Sequence, residues 1–329
     1  MPGRHLKPIL SKLLTIFIFS LSSHAYSENS LSWNDFVAQL REEALADNIR
    51  PEVFDKAFEN IEAPSSRVLH FDKTQPEKRL SFLDYRNSRV DHYRILLGRK
   101  ELQRHRSALN RIDQQFGVSA CFILSIWGLE TSYGRYIGNF PVIQSLATLT
   151  YDPRRSEFFH QELRIALRML NNGDVRLQDF KGEWAGASGH CQFLPSTYAK
   201  YAASYTGQSK PDIWNNTYDA FASIANFLAQ NGWHKNEPWA IEVTIPQDFD
   251  ESLLSNTVTK PVSEWSELGV QPINSELPDS HLEASIIYPD GGPAYMVFNN
   301  FKILLKWNRS NYYVGSLGYL AEEICQQKL

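Results

Sequence analysis

Helical periodicity over most of the chain constrains its fold more than any other feature of the sequence. Between residues 31 and about 111, apolar residues recur at the three- and four-residue spacing of amphipathic helices, as in the segment Trp33–Leu40. Residues 157–170 and 217–231 show the same spacing. The chain is therefore predicted to be mainly α, with a helical amino-terminal part.

Local residues predict where two of these helices meet. A long helix ending in LGRKELQRHRSALNRIDQQF is expected to stop at Gly117, because glycine readily adopts the left-handed conformation that closes helices. Ser119 is suited to cap the next helix, ACFILSIWGLETS, since its hydroxyl can accept from the first free backbone N–H groups.

The region from Trp239 to about Phe298 has a different character. Its alternating runs IEVTI and ASIIY, separated by proline and glycine turns, predict a few short strands. The segment NFKILLKWN and a final helix through Ala321 then close the chain. The predicted fold class is mainly α (α+β).

The first 25 residues are typical of a secretory signal peptide. Basic residues precede the apolar run LLTIFIFSL, which is too short to span a bilayer, and Ser23-His24-Ala25 offers small residues for cleavage. No cysteine follows the apolar run, so the attachment motif of a lipoprotein is missing. We expect a periplasmic or secreted mature protein without a membrane anchor; an uncleaved amphipathic anchor is the alternative.

Charge and cysteine content narrow the function classes. Three of the 33 basic residues lie in the first segment and none of the 37 acidic ones, which leaves 30 basic residues and a net charge near −7. Nucleic acid is therefore not an expected partner, because no basic stripe remains to neutralise phosphates. The three cysteines, Cys121, Cys191 and Cys325, have no metal-site spacing, and their odd number leaves at least one thiol unpaired in an oxidising compartment. The sequence alone supports no prediction of a disulfide.

Glu130 is the only acidic residue of the apolar segment ACFILSIWGLETS. Hydrocarbon from Ile123, Ile126 and Trp127 would disfavour the ionised carboxylate. A carboxyl that stays protonated near neutral pH can act as a general acid, as protonation of a glycosidic oxygen requires. From this helix alone, the alternative is an ordinary glutamate that faces solvent.

Three segments follow this helix in a distinctive order. They are GNFPVIQSLATLTYDPRRSEFF, the glycine-rich GASGHCQFLPSTY and, far downstream, NFKILLKWNRSNYY. In this order, after a helix that ends in Glu-Thr-x-Tyr-Gly-Arg, they resemble the lytic murein transglycosylase B family. The resemblance extends over roughly residues 70–325 and implies a lysozyme-like core.

We expect a single catalytic region, residues 26–329, after the signal peptide at residues 1–25. Its expected parts are a helical part to about 117, a lysozyme-like core at about 118–238, a small strand-containing segment at about 239–300 and closing helices at about 300–325.

The resemblance implies that the substrate is the glycan strand of peptidoglycan. Glu130 falls on the family's catalytic glutamate, which protonates the oxygen of the MurNAc-GlcNAc β-1,4 bond and then accepts the proton of the muramoyl C6 hydroxyl. The nucleophile belongs to the substrate, so the product has a 1,6-anhydroMurNAc end and one protein carboxylate suffices, whereas hydrolases use two. We expect no cofactor, a monomer, and cell-wall synthesis proteins as candidate partners.

The family's substrate groove supplies further candidates. Gln192 matches a glutamine that can bond to sugar hydroxyls or an acetamido group, with a loop-bracing amide as the alternative. Asn308 and Tyr313 match a groove asparagine and tyrosine. Arg154 and Arg155 match positions that would meet the carboxylates of peptide stems, with a structural salt bridge as the alternative.

Five aromatic residues near these motifs are candidates for lining the groove or stacking on sugar rings. They are Tyr133, Phe158, Phe227, Trp307 and Tyr85. Core packing is the alternative for the first four, and the match of Tyr85 to the family pattern is loose.

One departure from the family pattern concerns charge. Where the family commonly has serine in a Gly-Ser-Trp/Phe-Ala-Gly run, this chain has Glu183. It would place a second carboxylate beside Glu130. Two opposing hypotheses are that its charge raises the pKa of Glu130, or that it orients a water and permits hydrolysis. A tolerated surface substitution is the third interpretation.

The other departure concerns metal binding. Many relatives carry an Asp-rich calcium loop where this chain has SYTGQSKPD, with Ser204, Thr206 and Gln208 at the usual acidic positions. Calcium needs several charged oxygens, and only Asp212 remains in the loop. We therefore predict no tightly bound metal.

Three other functions are alternatives to this interpretation. A goose-type lysozyme-like hydrolase shares the glutamate at the helix end but produces reducing ends. A non-catalytic peptidoglycan-binding scaffold would need the groove but not Glu130. A periplasmic solute-binding protein would require repeated βα units, which the sequence does not contain.

Overall fold

The computed structural model describes residues 31–74, 80–152, 156–207 and 210–326. The predicted signal peptide, Arg154, Arg155 and Gln208 lie outside the described residues. None of the helices within these ranges combines the length and apolar character needed to cross a bilayer.

Fourteen α-helices make up most of the described chain, which confirms the prediction of a mainly α fold. They are α1 (Trp33–Ala46), α2 (Pro51–Phe58), α3 (Ser66–Lys73), α4 (Phe82–Arg89), α5 (His92–Arg104), α6 (Arg106–Phe116), α7 (Ala120–Thr131), α8 (Val142–Tyr151), α9 (Ser156–Asn172), α10 (Pro195–Tyr201), α11 (Thr217–Gln230), α12 (Val262–Glu267), α13 (Asn299–Trp307) and α14 (Asn311–Cys325).

Helix ends near residue 117 follow the predicted capping residues. Gly117 closes α6 in the left-handed region, at φ 69°, and the Ser119 side chain accepts from the backbone N–H of Cys121 at the start of α7. The prediction of one long helix before Gly117 is wrong, because the chain leaves helical geometry at His105. This break brings the His105 imidazole against the rings of Trp127 and Phe221, at centroid distances of 6.1 and 5.4 Å.

The strands form two antiparallel sheets. Two short strands, β1 (Phe140–Pro141) and β2 (Lys181–Gly182), pair with each other. A five-stranded sheet has the order β4-β6-β7-β3-β5. Its strands are β3 (Ala240–Thr244), β4 (Lys260–Pro261), β5 (Gln271–Pro272), β6 (Glu283–Ile287) and β7 (Ala294–Val297). The predicted runs IEVTI and ASIIY thus overlap β3 and β6, each of which begins one residue earlier.

Two hydrophobic clusters support this arrangement. The larger one joins the helices to one face of the sheet, and its members include Trp239 and Tyr295. The smaller one lies within the strand-containing segment around Trp265, whose indole N–H donates to the Ala284 carbonyl at 3.0 Å. The segment therefore has apolar packing of its own while it also covers the helical body.

Helices α7 and α14 run antiparallel and are joined along their length. At one end, Cys121 and Cys325 form a disulfide with a Cα–Cα distance of 5.9 Å, a pairing that the sequence did not predict. In the middle, the Ser125 hydroxyl donates to the Leu317 carbonyl at 2.6 Å. The other end carries Glu130, so this helix pair fixes the base of the site.

Candidate active site

A pocket of about 360 Å³ opens beside the carboxyl end of α7. It collects side chains from helices and loops that are far apart in sequence. Six of the predicted site residues line it, namely Glu130, Phe158, Glu183, Gln192, Trp307 and Asn308.

Glu130 is held by two donors that arrive from the end of the chain. The Tyr313 hydroxyl, in the first turn of α14, donates to Glu130 Oε1. The Trp307 indole N–H, at the end of α13, donates to the same oxygen at 2.8 Å. With Oε1 accepting two hydrogen bonds, Oε2 is the oxygen that can carry and deliver a proton.

The protonation of Glu130 reflects opposing effects. Burial raises the pKa of Glu130, because the ionised carboxylate loses hydration. The hydrogen bonds from Tyr313 and Trp307 lower this pKa, and the charge of Glu183 raises it. The net pKa lies above the usual value for glutamate. Burial also raises the pKa of Tyr313 well above its ordinary value, so Tyr313 remains a donor at neutral pH.

The turn after Glu130 has an unusual backbone. Ser132, Tyr133 and Gly134 all have positive φ angles, of 50°, 60° and 79°. For the first two residues this conformation costs of order 1–3 kcal/mol each, so surrounding contacts must hold it. The Thr131 hydroxyl accepts from Gly134 N–H at 2.9 Å, and the Tyr133 hydroxyl donates to the carbonyl of Arg94 at 2.9 Å.

Tyr133 is therefore a packing residue of the core. It is only 6% exposed, and its ring covers Gly128, where an added Cβ would lie 2.7 Å from the ring. Phe227 is also 6% exposed and packs edge-on against Trp307 at a centroid distance of 4.9 Å. For both residues, core packing describes the structure better than stacking on a sugar.

Gln192 braces its own loop and also lines the pocket. Its backbone has a φ of 50°, and its amide nitrogen donates to the carbonyls of Gly189 and Ile137, at 2.8 and 3.1 Å. Both amide hydrogens are thus used to brace the loop, and Oε1 is the atom that remains for a ligand. The side chain can therefore accept a hydrogen bond from an N–H or O–H group in the pocket.

Two other predicted residues present different chemistry to the pocket. Asn308 ends α13, and its Oδ1 accepts from the backbone N–H of Ser310 at 3.1 Å, which leaves the amide nitrogen as a donor. Phe158 is 53% exposed, so its ring is accessible to a flat apolar surface. Each can contact a sugar without disturbing the core.

Glu183 lies in the turn that follows β2. Its backbone N–H donates to the Ala187 carbonyl at 2.8 Å, and its Oε1 accepts from the backbone N–H of Ala185 at 2.9 Å. Burial raises the pKa of Glu183, although hydrogen bonds from the backbone at Ala185 and Ala187 lower it. The interpretation of Glu183 as a surface substitution does not fit, because the carboxylate lines the same pocket as Glu130.

Helix α4 supplies one residue that the sequence analysis missed. The charge of Arg89 lowers the pKa of Glu130. The centre of the Arg89 guanidinium lies 5.5 Å from the ring of Tyr85, one helical turn earlier. Tyr85 in turn packs edge-on against Tyr312 at a centroid distance of 5.9 Å. The four-residue spacing of Tyr85 and Arg89 was the available sequence signal.

The loop before α11 is organised by side chains. The buried Asp219 carboxylate accepts from the backbone N–H groups of Tyr205 and Asp212, at 2.7 and 2.9 Å. Asp212 itself accepts from Trp214 and Asn215. Within the described residues, no group of three or more His, Cys, Asp or Glu side chains is arranged to hold a metal ion.

Comparison with known families gives these features a context. Residues 32–322 match the family model for the transglycosylase SLT domain. The chain belongs to this family. Its SLT domain is 29% identical over 253 residues to membrane-bound lytic murein transglycosylase B of Escherichia coli K12, covering 74% of this chain and 67% of that protein. The predicted family resemblance is confirmed.

Solved structures of SLT-domain proteins have the same fold. SltB3 from Pseudomonas aeruginosa, in complex with NAG-anhNAM-pentapeptide, matches with a TM-score of 0.85 and 40% identity over 89% of this chain and 79% of that one. Escherichia coli Slt35, in complex with calcium, matches with a TM-score of 0.77 and 25% identity over 88% and 92%. The lysozyme-like fold class predicted from the sequence is thereby confirmed.

Proposed function

We propose that this protein cleaves the MurNAc-GlcNAc β-1,4 bond of peptidoglycan without water and leaves a 1,6-anhydroMurNAc end. The observation that carries this proposal is the environment of Glu130, a carboxyl with a raised pKa whose Oε1 accepts from Tyr313 and Trp307. The similarity to SltB3, a structure that contains NAG-anhNAM-pentapeptide, supports the same substrate class.

In the first step, Glu130 acts as the acid. Oε2 delivers its proton to O4 of the GlcNAc residue as the C1–O4 bond breaks, and positive charge develops on the muramoyl ring. The new Glu130 carboxylate is stabilised by the two hydrogen bonds to Oε1, because bonds to charged acceptors are stronger than neutral ones. Tyr313 and Trp307 thus favour the state that follows bond cleavage.

In the second step, Glu130 acts as the base. The muramoyl O6 forms a bond to C1 while its proton passes to the Glu130 carboxylate, which restores the starting protonation. The attacking hydroxyl is part of the same sugar, so its effective concentration is high. Neither a water nor a second nucleophile enters this cycle.

The remaining residues of the pocket are assigned to substrate binding. Gln192 accepts from a sugar hydroxyl or acetamido N–H, and Asn308 donates to a sugar oxygen. The exposed ring of Phe158 stacks on a sugar. We assign Arg154 and Arg155 to the carboxylates of the peptide stem, as proposed from the sequence.

We further propose a periplasmic location after removal of residues 1–25, a monomeric protein and an association with cell-wall synthesis proteins. The division of the catalytic region near residues 117, 238 and 300 belongs to the same proposal. The predicted signal peptide and the proposed cell-wall substrate together support this location.

Digestion of purified sacculi tests the reaction. Mass spectrometry should find anhydro-ended muropeptides released by the wild type and a loss of about 10²–10⁴-fold in Glu130→Gln, because a general acid and base is removed. Glu276→Gln, a change on the exposed surface, serves as the matched control. Reducing ends from the wild type would favour a hydrolase, and full activity of Glu130→Gln would contradict the assignment.

A further inference from the structure

The second carboxylate of the pocket has no part in the reaction proposed above. Glu183 and Glu130 line the same cavity, although intramolecular attack by the C6 hydroxyl requires only one of them. A carboxylate that is partly buried loses hydration, so its presence calls for a compensating role. The relevant question is what its negative charge does during catalysis.

Glu183 is fixed in position by its own turn. Gly182 pairs with Ser188 across this turn, and the Glu183 backbone N–H donates to the Ala187 carbonyl. The bond from Ala185 N–H to Oε1 then sets the direction of the carboxylate. Because a backbone N–H stabilises an anionic acceptor, this bond opposes the effect of burial, which raises the pKa of Glu183.

The charged and titratable groups around Glu130 come from four parts of the fold. Tyr313 approaches from α14, Arg89 from α4 and Glu183 from the turn after β2, while the buried Cys191 thiol lies in the loop before α10. Arg89 and Glu183 carry opposite charges among these groups. Two carboxylates in one pocket repel each other when both are ionised, so the pocket favours one acid and one anion.

We propose that Glu183 carries the negative charge of the pocket while Glu130 is protonated, and that this charge stabilises the cationic muramoyl ring formed when the C1–O4 bond breaks. The inference rests on the proposed function and deepens it. Glu183 forms no bond to the sugar and transfers no proton; it acts through its charge on a fixed turn. Electrostatic stabilisation of this kind is effective where water is excluded.

A pH profile follows from the same charge. Activity requires protonated Glu130 and is lost as pH rises through its pKa. A negative Glu183 disfavours a second negative charge on Glu130, so it extends the acid form to higher pH. Removing the Glu183 charge should therefore move the alkaline limb of the profile to lower pH.

Two substitutions separate charge from structure. Glu183→Gln keeps the side-chain length and an acceptor for the Ala185 N–H but removes the charge, whereas Glu183→Ala also removes the acceptor. Steady-state kinetics across pH on a soluble, uncrosslinked glycan strand should show kcat reduced about tenfold or more in both variants, with KM within about twofold. Both alkaline limbs should move to lower pH, and Glu276→Gln should match the wild type.

Each other outcome overturns the inference. Wild-type kinetics in Glu183→Gln would show that the charge has no role, and a defect confined to Glu183→Ala would show that Glu183 only supports its turn. Reducing ends made by the wild type and lost in Glu183→Gln would show that Glu183 activates water instead. The products of the wild type test the proposed function separately. If the wild type produces anhydro ends, the proposed function holds whatever the role of Glu183; if it produces none, the proposed function is wrong.

Discussion

At the residue scale, the site depends on a balance of contacts at one carboxyl group. Burial and the charge of Glu183 raise the pKa of Glu130, while the donors Tyr313 and Trp307 lower it. The acid step needs the protonated form and the base step needs the ionised form. A site with both kinds of contact can serve both steps. Substitution of a group that raises the pKa of Glu130 and substitution of a group that lowers it should therefore shift the pH profile in opposite directions.

Tyr313→Phe is predicted to move the alkaline limb to higher pH. The hydroxyl of Tyr313 stabilises ionised Glu130, so its removal raises the pKa of Glu130 and keeps the acid form at higher pH. At the same time kcat should fall about 10- to 100-fold, because a hydrogen bond to a charged group contributes about 1.5–3 kcal/mol. The measurement is kcat against pH on the soluble glycan strand used for Glu183.

Tyr312→Phe is the matched control for this change. Tyr312 is the preceding residue of α14, and its ring packs against Phe82 and Tyr85. Its profile should coincide with that of the wild type. An alkaline limb that stays in place in Tyr313→Phe, or moves to lower pH, would show that the hydrogen bond to Glu130 does not govern the acid.

The sequence could single out Glu130 as a candidate acid but could not predict the hydrogen-bond donors that hold it. An isolated glutamate in an apolar helix is a local signal, whereas Trp307 and Tyr313 lie 177 and 183 positions away from Glu130. Only tertiary packing brings them together. The same limit explains why Trp307 was assigned to stacking on sugars and why Tyr133, one turn beyond Glu130, proved to be a packing residue.

At the scale of single elements, the loop between α10 and α11 is held together by a side chain of the following helix. Asp219 is 2% exposed and accepts from the N–H groups of Tyr205 and Asp212 on either side of the loop. A carboxylate from the following helix thus holds the loop together. The relative Slt35 has been solved with calcium, whereas we predict no tightly bound metal in this loop, where Ser204 and Thr206 carry no charge.

Asp219→Ala is predicted to lower the free energy of unfolding by about 2–5 kcal/mol, because it leaves two backbone N–H groups without their acceptor. Denaturant unfolding measures the change, and the exposed Asp248→Ala should stay within about 0.5 kcal/mol of the wild type. We also expect the same Tm for the wild type in calcium and in EDTA. A rise in Tm at micromolar calcium would show that the loop binds the metal after all.

Element boundaries with a local cause were predictable, and those with a tertiary cause were not. Gly117 and Ser119 act on their immediate neighbours, so the caps of α6 and α7 could be read from the sequence. The break at His105 follows no proline or glycine. It occurs where the imidazole packs against Trp127 and Phe221, and such contacts override helical propensity.

At the scale of the whole molecule, the last helix completes the site that an internal helix begins. Helix α14 packs antiparallel to α7, so the Cys121–Cys325 disulfide lies at the end opposite to Glu130 and Tyr313. An odd number of cysteines does not indicate which two will pair, since their spacing is not set by local structure. The pairing required knowledge of how the chain returns to α7 after the five-stranded sheet.

The disulfide should stabilise the fold without taking part in the reaction. It joins positions separated by 204 residues, and the double variant Cys121→Ser/Cys325→Ser is predicted to lower the free energy of unfolding by about 2–5 kcal/mol. Its kcat at 25 °C should equal that of the wild type, because Ser125 and the packing of α14 still hold Glu130 against Tyr313. Urea unfolding with and without a reductant supplies the control, since the reductant should destabilise the wild type and leave the double variant unchanged. If the wild type and the double variant have equal urea midpoints without reductant, helix packing alone holds α7 and α14 together at this end.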